Sequence, residues 1–388
     1  MMDHSWINRP YKLLSALNIK FFLILLIAVL AFACSSDDNS TSPASPNTGF
    51  FSEYNQRNFS MGFTSWPYGP DLEDVSSTYS FISQNADIYC EHIDSNIPWS
   101  SWINDSTLPA SFVNDIAFKK SNKIAGLDFL LSVSILNLDR SDLANDFDGN
   151  TPNYSKLCDS AIIGAYTKHL DYLITEFEPT YLVMSIEGNE LLIHSPDKWD
   201  DYKTLMPAVR TEIKNRFPNL KITESFTLHN LFQPDVANPE DYIDEVATYA
   251  NQLDFVGISF YPFFKGLSDS VGFQTVFDYL HSKINKPIVF AETTNIAENL
   301  IVPGLSLNIS GNPEEQDIYL QVLLHNAQQH NYEFVIWWAH RDFDELWETF
   351  LPDVKDLGQI WRDTGLLDEE GNERKAYDSW QSAFKISK

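Results

Sequence analysis

Two carboxylates give the sequence its first chemical signal. Residues 181–190, YLVMSIEGNE, begin as an apolar, β-favouring run and close on Glu187, Gly188, Asn189 and Glu190. About a hundred residues later Ile288, Val289, Phe290 and Ala291 make a second such run, and it closes on Glu292. A buried strand that runs into a carboxylate holds it at the end of a core element, where a cleft can form. Two carboxyl groups facing each other across a sugar can break a glycosidic bond. One protonates the leaving oxygen, the other attacks the anomeric carbon, and retention needs them about 5 to 5.5 Å apart.

Other side chains compete for a place beside them. Glu187, a little earlier in the same run, is an alternative acid. Glu224 alternates with Leu220, Ile222 and Phe226, which leaves a position in the site and a structural ion pair both open. His229 follows one strand, and His92 with Asp94 follows another; each is a site hydrogen bond or a loop residue. They lack the spacing of metal ligands, so no metal is expected. Trp66, Trp99, Trp102, Trp337, Trp338 and Trp347 fall near strand ends or loops, where aromatic faces stack on sugar rings. There is no G-x-S-x-G elbow for serine chemistry.

The elements that must position these groups alternate between short strands and helices. Strands are expected near residues 60–63, 87–92, 127–133, 181–186, 220–226, 255–260, 288–291 and 334–338. Helical spacing covers 72–82, 112–120, 161–177, 199–217 and 377–384. Asn238 and Asn312, each followed by Pro and two acids, mark two further helix starts. Eight strands with helices between them predict an α/β fold, a single-domain (β/α)8 TIM barrel over residues 50–388. A doubly wound sheet is the competitor, and no glycine-rich phosphate loop follows any strand. Long connections at 137–156 and 293–312 could wall a cleft.

Charge narrows the partners. Lys and Arg number 26 against 54 Asp and Glu, a formal charge of −28. Nucleic acid and anionic lipid surfaces both reward basic patches, so a neutral ligand suits the chain better. A monomer without a cofactor is expected.

The N-terminus reads as a targeting segment. Arg9, Lys12 and Lys20 precede an apolar run from Phe21 to Phe32, and Ala31 and Ala33 lead to Cys34. The run is too short for a spanning helix and fits a signal peptide over residues 1–33. The sequence AFAC resembles the lipobox of bacterial lipoproteins, which implies lipidation of Cys34. Ser35 after the cysteine implies anchoring in the outer membrane, and Asp37-Asp38 resembles surface-export signals. The membrane is then a partner through the lipid anchor only. Residues 34–49 are polar, carry two prolines and predict a flexible tether. Cys90 and Cys158 remain, two buried thiols rather than a bridge.

Asn189-Glu190 followed by Glu292 resembles the large clan of retaining (β/α)8 glycoside hydrolases. The resemblance implies Glu190 as acid/base, Asn189 as ligand of the sugar 2-hydroxyl and Glu292 as nucleophile. Residues 254–266, DFVGISFYPFFKG, and the GNE of 188–190 are similar to arabinogalactan endo-β-1,4-galactanases of family 53. That implies Tyr261 as the tyrosine holding the nucleophile, and Trp338 or Trp337 as the platform under the sugar. His229, His92 and Trp66 complete the expected substrate-binding set. The first half departs from the galactanase pattern, with no arginine-rich third strand in LDFLLSVSI. Mannan, xylan and β-glucan remain open as substrates, as does a glycan-binding lipoprotein without catalysis.

Overall fold

Period-two alternation builds the centre of the molecule. The computed structural model describes residues 54–388; the expected signal peptide, Cys34 and the tether lie outside the described residues. Its strands are β1 (Ser60–Thr64), β2 (Ile88–Ile93), β3 (Asp128–Val133), β4 (Tyr181–Val183), β5 (Lys221–Thr223), β6 (Ser225–Thr227), β7 (Val256–Phe260) and β8 (Ile288–Thr293). The short β9 (Leu300–Val302) and β10 (Leu307–Ile309) precede β11 (Phe334–Trp337). One parallel sheet runs in the order β5-β4-β3-β2-β1-β11-β8-β7-β6. β5 and β6 flank Glu224 and form one interrupted stave, so the two ends of that order meet. The result is the expected eight-staved barrel.

Along each stave one set of side chains fills the bore and the other faces the helices. Ile88, Cys90, Leu130, Tyr181, Val183, Phe255, Val289, Ala291, Phe334 and Ile336 pack inside. Their neighbours Tyr89, Phe129, Leu131, Leu182, Phe290, Val335 and Trp337 belong to the larger cluster shared with the helices. These strands are buried on both faces, which is why they read as nearly continuous apolar runs. Cys90 and Cys158 are both free thiols, the first buried and the second half-buried.

The helices fall close to their expected spans, at Leu72–Asn85, Ala110–Ser121, Ser160–Phe177, Trp199–Arg216 and Lys375–Phe384. Asn312 caps Pro313–His330 through its side chain, which accepts from Glu315 N at 2.9 Å. Asn238 also precedes a helix, Pro239–Ala250, but makes no side-chain cap bond. The helix Ser270–Lys283 was not legible from spacing, although Asp269 caps it by accepting from Gly272 N. The long connection after β8 folds into the antiparallel hairpin β9–β10, which packs with Phe263, Ile360 and Trp361 against Tyr261.

Glu224 resolves as structural. It is fully buried between β5 and β6, where it pairs with Arg210 and accepts from the Tyr202 hydroxyl at 2.8 Å and the Tyr249 hydroxyl at 3.0 Å. It therefore ties the interrupted stave to helices Trp199–Arg216 and Pro239–Ala250. Removing one partner of a buried pair strands the other's charge. Glu224→Ala is expected to cost about 3–5 kcal/mol, read as a lowered urea midpoint.

Candidate active site

Glu292 lies near the C-terminal end of β8 with its carboxylate turned into the barrel mouth. A register shift between Ile258 and Ser259 sets Ser259 opposite Glu292, and such irregularities commonly re-aim a side chain. The Tyr261 hydroxyl donates to Oε1, Ser259 Oγ lies 3.2 Å from the same oxygen, and His92 Nδ1 lies 3.1 Å from Oε2. Burial pushes the carboxyl well above the usual range, and the neighbouring Glu187 pushes it further. Burial also holds His92 neutral, with its pKa pushed down to about 4. Tyr261 thus hydrogen-bonds Glu292, whereas His92 Nδ1 lies beside it without a hydrogen-bond partner among the described residues.

Glu190 sits differently from its expected place on the strand. β4 ends at Val183, and the chain runs on irregularly, with Met184 N bonding Thr223 O and Gly188 N bonding Ser225 O. Glu190 opens the short helix Glu190–His194. Gly188 is required here, because a Cβ would lie 2.2 Å from the Tyr202 hydroxyl. The Glu190 carboxylate accepts from Thr227 Oγ1 and from Asn230 Nδ2 at 2.8 and 3.0 Å, with His194 Nε2 at 3.5 Å. Burial raises its pKa, but His194, His229, Thr227 and Asn230 outweigh that and leave it below its ordinary value.

Asn189 corrects an expectation. It is fully buried and its amide is spent inside the protein. Oδ1 accepts from Thr227 N at 2.8 Å, while Nδ2 donates to Thr227 Oγ1 at 2.9 Å and to the Tyr242 hydroxyl at 2.8 Å. Both amide protons are committed and the side chain is fully buried, so only the second lone pair of Oδ1 is left uncommitted. It orients the Thr227 hydroxyl, which in turn holds Glu190.

A third carboxylate enters the same cleft. Glu187 Oε1 accepts from Ser259 Oγ at 2.7 Å, so one hydroxyl touches both Glu187 and Glu292. Arg140 reaches in from the connection after β3 and bridges Glu187 and Asp94, with Nη2 at 3.1 Å from Glu187 Oε2 and 2.7 Å from Asp94 Oδ2. Asp94 is drawn down by Arg140 despite its burial. Glu187 is still raised, because burial outweighs the guanidinium. Arg140, Thr227 and Asn230 carry no motif and escaped the sequence reading, and Ser259, although inside the 254–266 stretch, was not singled out. The signal for Arg140 was its isolation, as the one arginine in the acidic stretch 137–156.

Aromatic residues wall the cleft. Trp338 lies 5.0 Å edge-on from His92 and 5.6 Å from Trp66. The buried indole N–H groups of both tryptophans bond nothing among the described residues. His229 lies 5.4 Å from Phe264 and 6.3 Å from Tyr261, and burial pushes its pKa down to about 4. Trp337 is the second correction. It alternates outward on β11, is fully buried, and donates Nε1 to Thr364 O at 3.0 Å beneath Tyr319. Trp338, one residue on, takes the cleft side.

Residues 178–338 match the model of glycosyl hydrolase family 53. That span contains Glu187, Glu190, Tyr261, Glu292 and Trp338. The segment carrying the carboxylates is that of a glycoside hydrolase. No curated protein matches the chain by sequence. Among solved structures, the family 53 catalytic domain of Ignisphaera aggregans is similar at 15% identity and TM-score 0.54, covering 85% of this chain and 96% of that one. One of two fungal β-1,4-galactanases is similar at 15% identity and TM-score 0.51, over 83% and 94%. Xylanase 10B from Thermotoga maritima gives 10% identity and TM-score 0.55, over 84% and 95%. At these identities the likeness carries the fold, a (β/α)8 barrel.

The two neighbouring tryptophans should separate in KM. Trp338→Ala is expected to raise KM for a cleaved glycan at least about tenfold, together with a loss of stability, because Trp338 is also buried. Trp337→Ala is expected to cost about 3–5 kcal/mol of stability and leave KM near wild type. Steady-state kinetics beside thermal melts decide between them.

Proposed function

We propose that this protein is a retaining glycoside hydrolase that cuts a β-linked polysaccharide, with Glu292 as nucleophile and Glu190 as acid/base. The observation that carries the reading is the setting of Glu292, held at the barrel mouth by Tyr261, Ser259 and His92 within the span matching family 53. In the first step a Glu292 oxygen bonds the anomeric carbon as the glycosidic bond breaks, and the Glu190 proton goes to the leaving oxygen. In the second, Glu190 takes a proton from water, the hydroxyl bonds the anomeric carbon, and Glu292 leaves as carboxylate. No cofactor enters either step.

The substrate is a neutral glycan, and a β-1,4-linked galactan is the first choice. Supporting this are the similarity of residues 254–266 and 188–190 to family 53, and two unspent indole donors in an aromatic-walled cleft. An aromatic wall with a few polar groups suits a sugar, whose rings have apolar faces and hydroxyl edges. Lipidation at Cys34 would tether the barrel to the outer membrane through residues 34–49, as a monomer at the cell surface.

The experiment is reducing-sugar release by residues 50–388 from galactan, arabinogalactan, mannan, xylan and β-glucan. Release from one glycan, reduced at least about a thousandfold in Glu292→Gln and Glu190→Gln, is the expected result. Tight binding of a glycan by all three proteins without release would replace the enzyme with a glycan-binding module.

A further inference from the structure

Counting hydrogens at Ser259 shows a group the two-carboxylate scheme does not use. Ser259 Oγ lies 2.7 Å from Glu187 Oε1 and 3.2 Å from Glu292 Oε1. A serine hydroxyl has one proton to give, and an ionised carboxylate can only accept. Between two ionised carboxylates its one proton can serve the second only as a weak bifurcated bond, whereas a full bond to each forms when one of them is protonated. That carboxyl donates to Oγ while the hydroxyl donates to the other. Two ionised carboxylates sharing one hydroxyl would also repel across a desolvated gap.

The surroundings decide where the proton rests. Glu187 faces the Arg140 guanidinium, which is also engaged by Asp94, and it senses the charge of Glu190. Glu292 faces the Tyr261 hydroxyl and neutral His92; Arg140 draws it down and Asp94 pushes it up from a distance, and no Lys or Arg among the described residues pairs with it directly. In the free protein the proton is better placed on Glu292, which must lose it before it can attack a sugar. Glu190 accepts three hydrogen bonds and is ionised. The free site thus holds a proton on the carboxyl that must be ionised to attack, while Glu190 has to take up its own proton from solvent before the first step.

We infer that Glu187 is a positioning residue that shares a proton with Glu292 through Ser259 and so sets the pH at which the nucleophile becomes ionised. The transfer balances simply. The Glu292 carboxyl proton passes to Ser259 Oγ as the Ser259 proton passes to Glu187, leaving Glu292 as carboxylate. The inference rests on the reading of Glu292 as nucleophile.

Two readouts test it. The first needs no substrate: infrared difference titration of the protonated carboxyl band between pH 4 and 9. Wild type is expected to show a component titrating above the ordinary carboxylate range that is missing in Glu292→Gln. In Glu187→Gln the same component is expected to move at least about one pH unit lower, because a like charge is gone and Arg140 remains. Ser259→Ala, a mild change that keeps both carboxyls, removes the bridge stabilising the singly protonated pair. It should move the component the same way by less. The second readout is the acid limb of kcat/KM on the glycan that wild type cleaves, expected to shift to lower pH in Glu187→Gln. A component that titrates identically in wild type, Glu187→Gln and Ser259→Ala overturns the inference. An enzyme active without Glu292 overturns the functional reading instead, whatever the titration shows.

Discussion

The structure depends on keeping three carboxylates, Glu187, Glu190 and Glu292, in one desolvated cleft. Burying a charge is costly unless it is paired or hydrogen-bonded, and each of the three meets that requirement differently. Glu190 collects donors from Thr227, Asn230 and His194. Glu187 leans on Arg140. Glu292 has hydroxyls and a neutral imidazole, and no Lys or Arg among the described residues pairs with it. This asymmetry gives chemically identical groups different proton affinities, Glu292 raised and Glu190 lowered in the free protein.

Much of the surrounding architecture serves that asymmetry. Closure of the barrel across the β5–β6 interruption brings Thr227 beside Asn189, and Asn189 then aims the Thr227 hydroxyl at Glu190. The register shift between β7 and β8 places Ser259 and Tyr261 on the Glu292 carboxylate. The hairpin β9–β10, absent from a minimal barrel, packs with Trp361 behind Tyr261 and backs the hydroxyl that donates to Glu292. Each device is local, and each acts on one oxygen of one carboxylate.

This division explains what the sequence disclosed and what it withheld. The staves were legible because they are buried on both faces and read as apolar runs, and Glu292 was legible because its run ends in a charge. Trp337 and Trp338 could not be told apart by composition; which of them faces the cleft follows from alternation, set by the register of β11 on β1. Asn189 invited a role by resemblance, yet its amide is consumed by Thr227 and Tyr242, a fact of three-dimensional neighbours. Arg140 sits 47 positions from Glu187, in a connection with no periodicity to read. The helix Ser270–Lys283 was missed because its face toward the barrel is marked by only a few large residues, Phe273, Val276, Phe277 and Leu280, behind a polar start.

Backbone strain supplies an independent argument that the Glu187–Arg140 contact matters. Both residues occupy the left-handed region, with φ of 54° and 56°. Side-chain-bearing residues pay about 1–2 kcal/mol each to be there, and glycine would relieve it. Glycine at either position would also delete the guanidinium or the carboxylate that the turn delivers. The same φ recurs at Asp105, Glu178, Ser306 and Asn331; what sets Glu187 and Arg140 apart is that their side chains meet, and the Glu187 carboxylate lies one hydrogen bond from Ser259 and two from Glu292. A glycan-binding surface without catalysis would gain nothing from a strained, like-charged pair beside a third carboxylate. If Glu187 and Glu292 share a proton as we infer, the pair gives that proton a second place to rest.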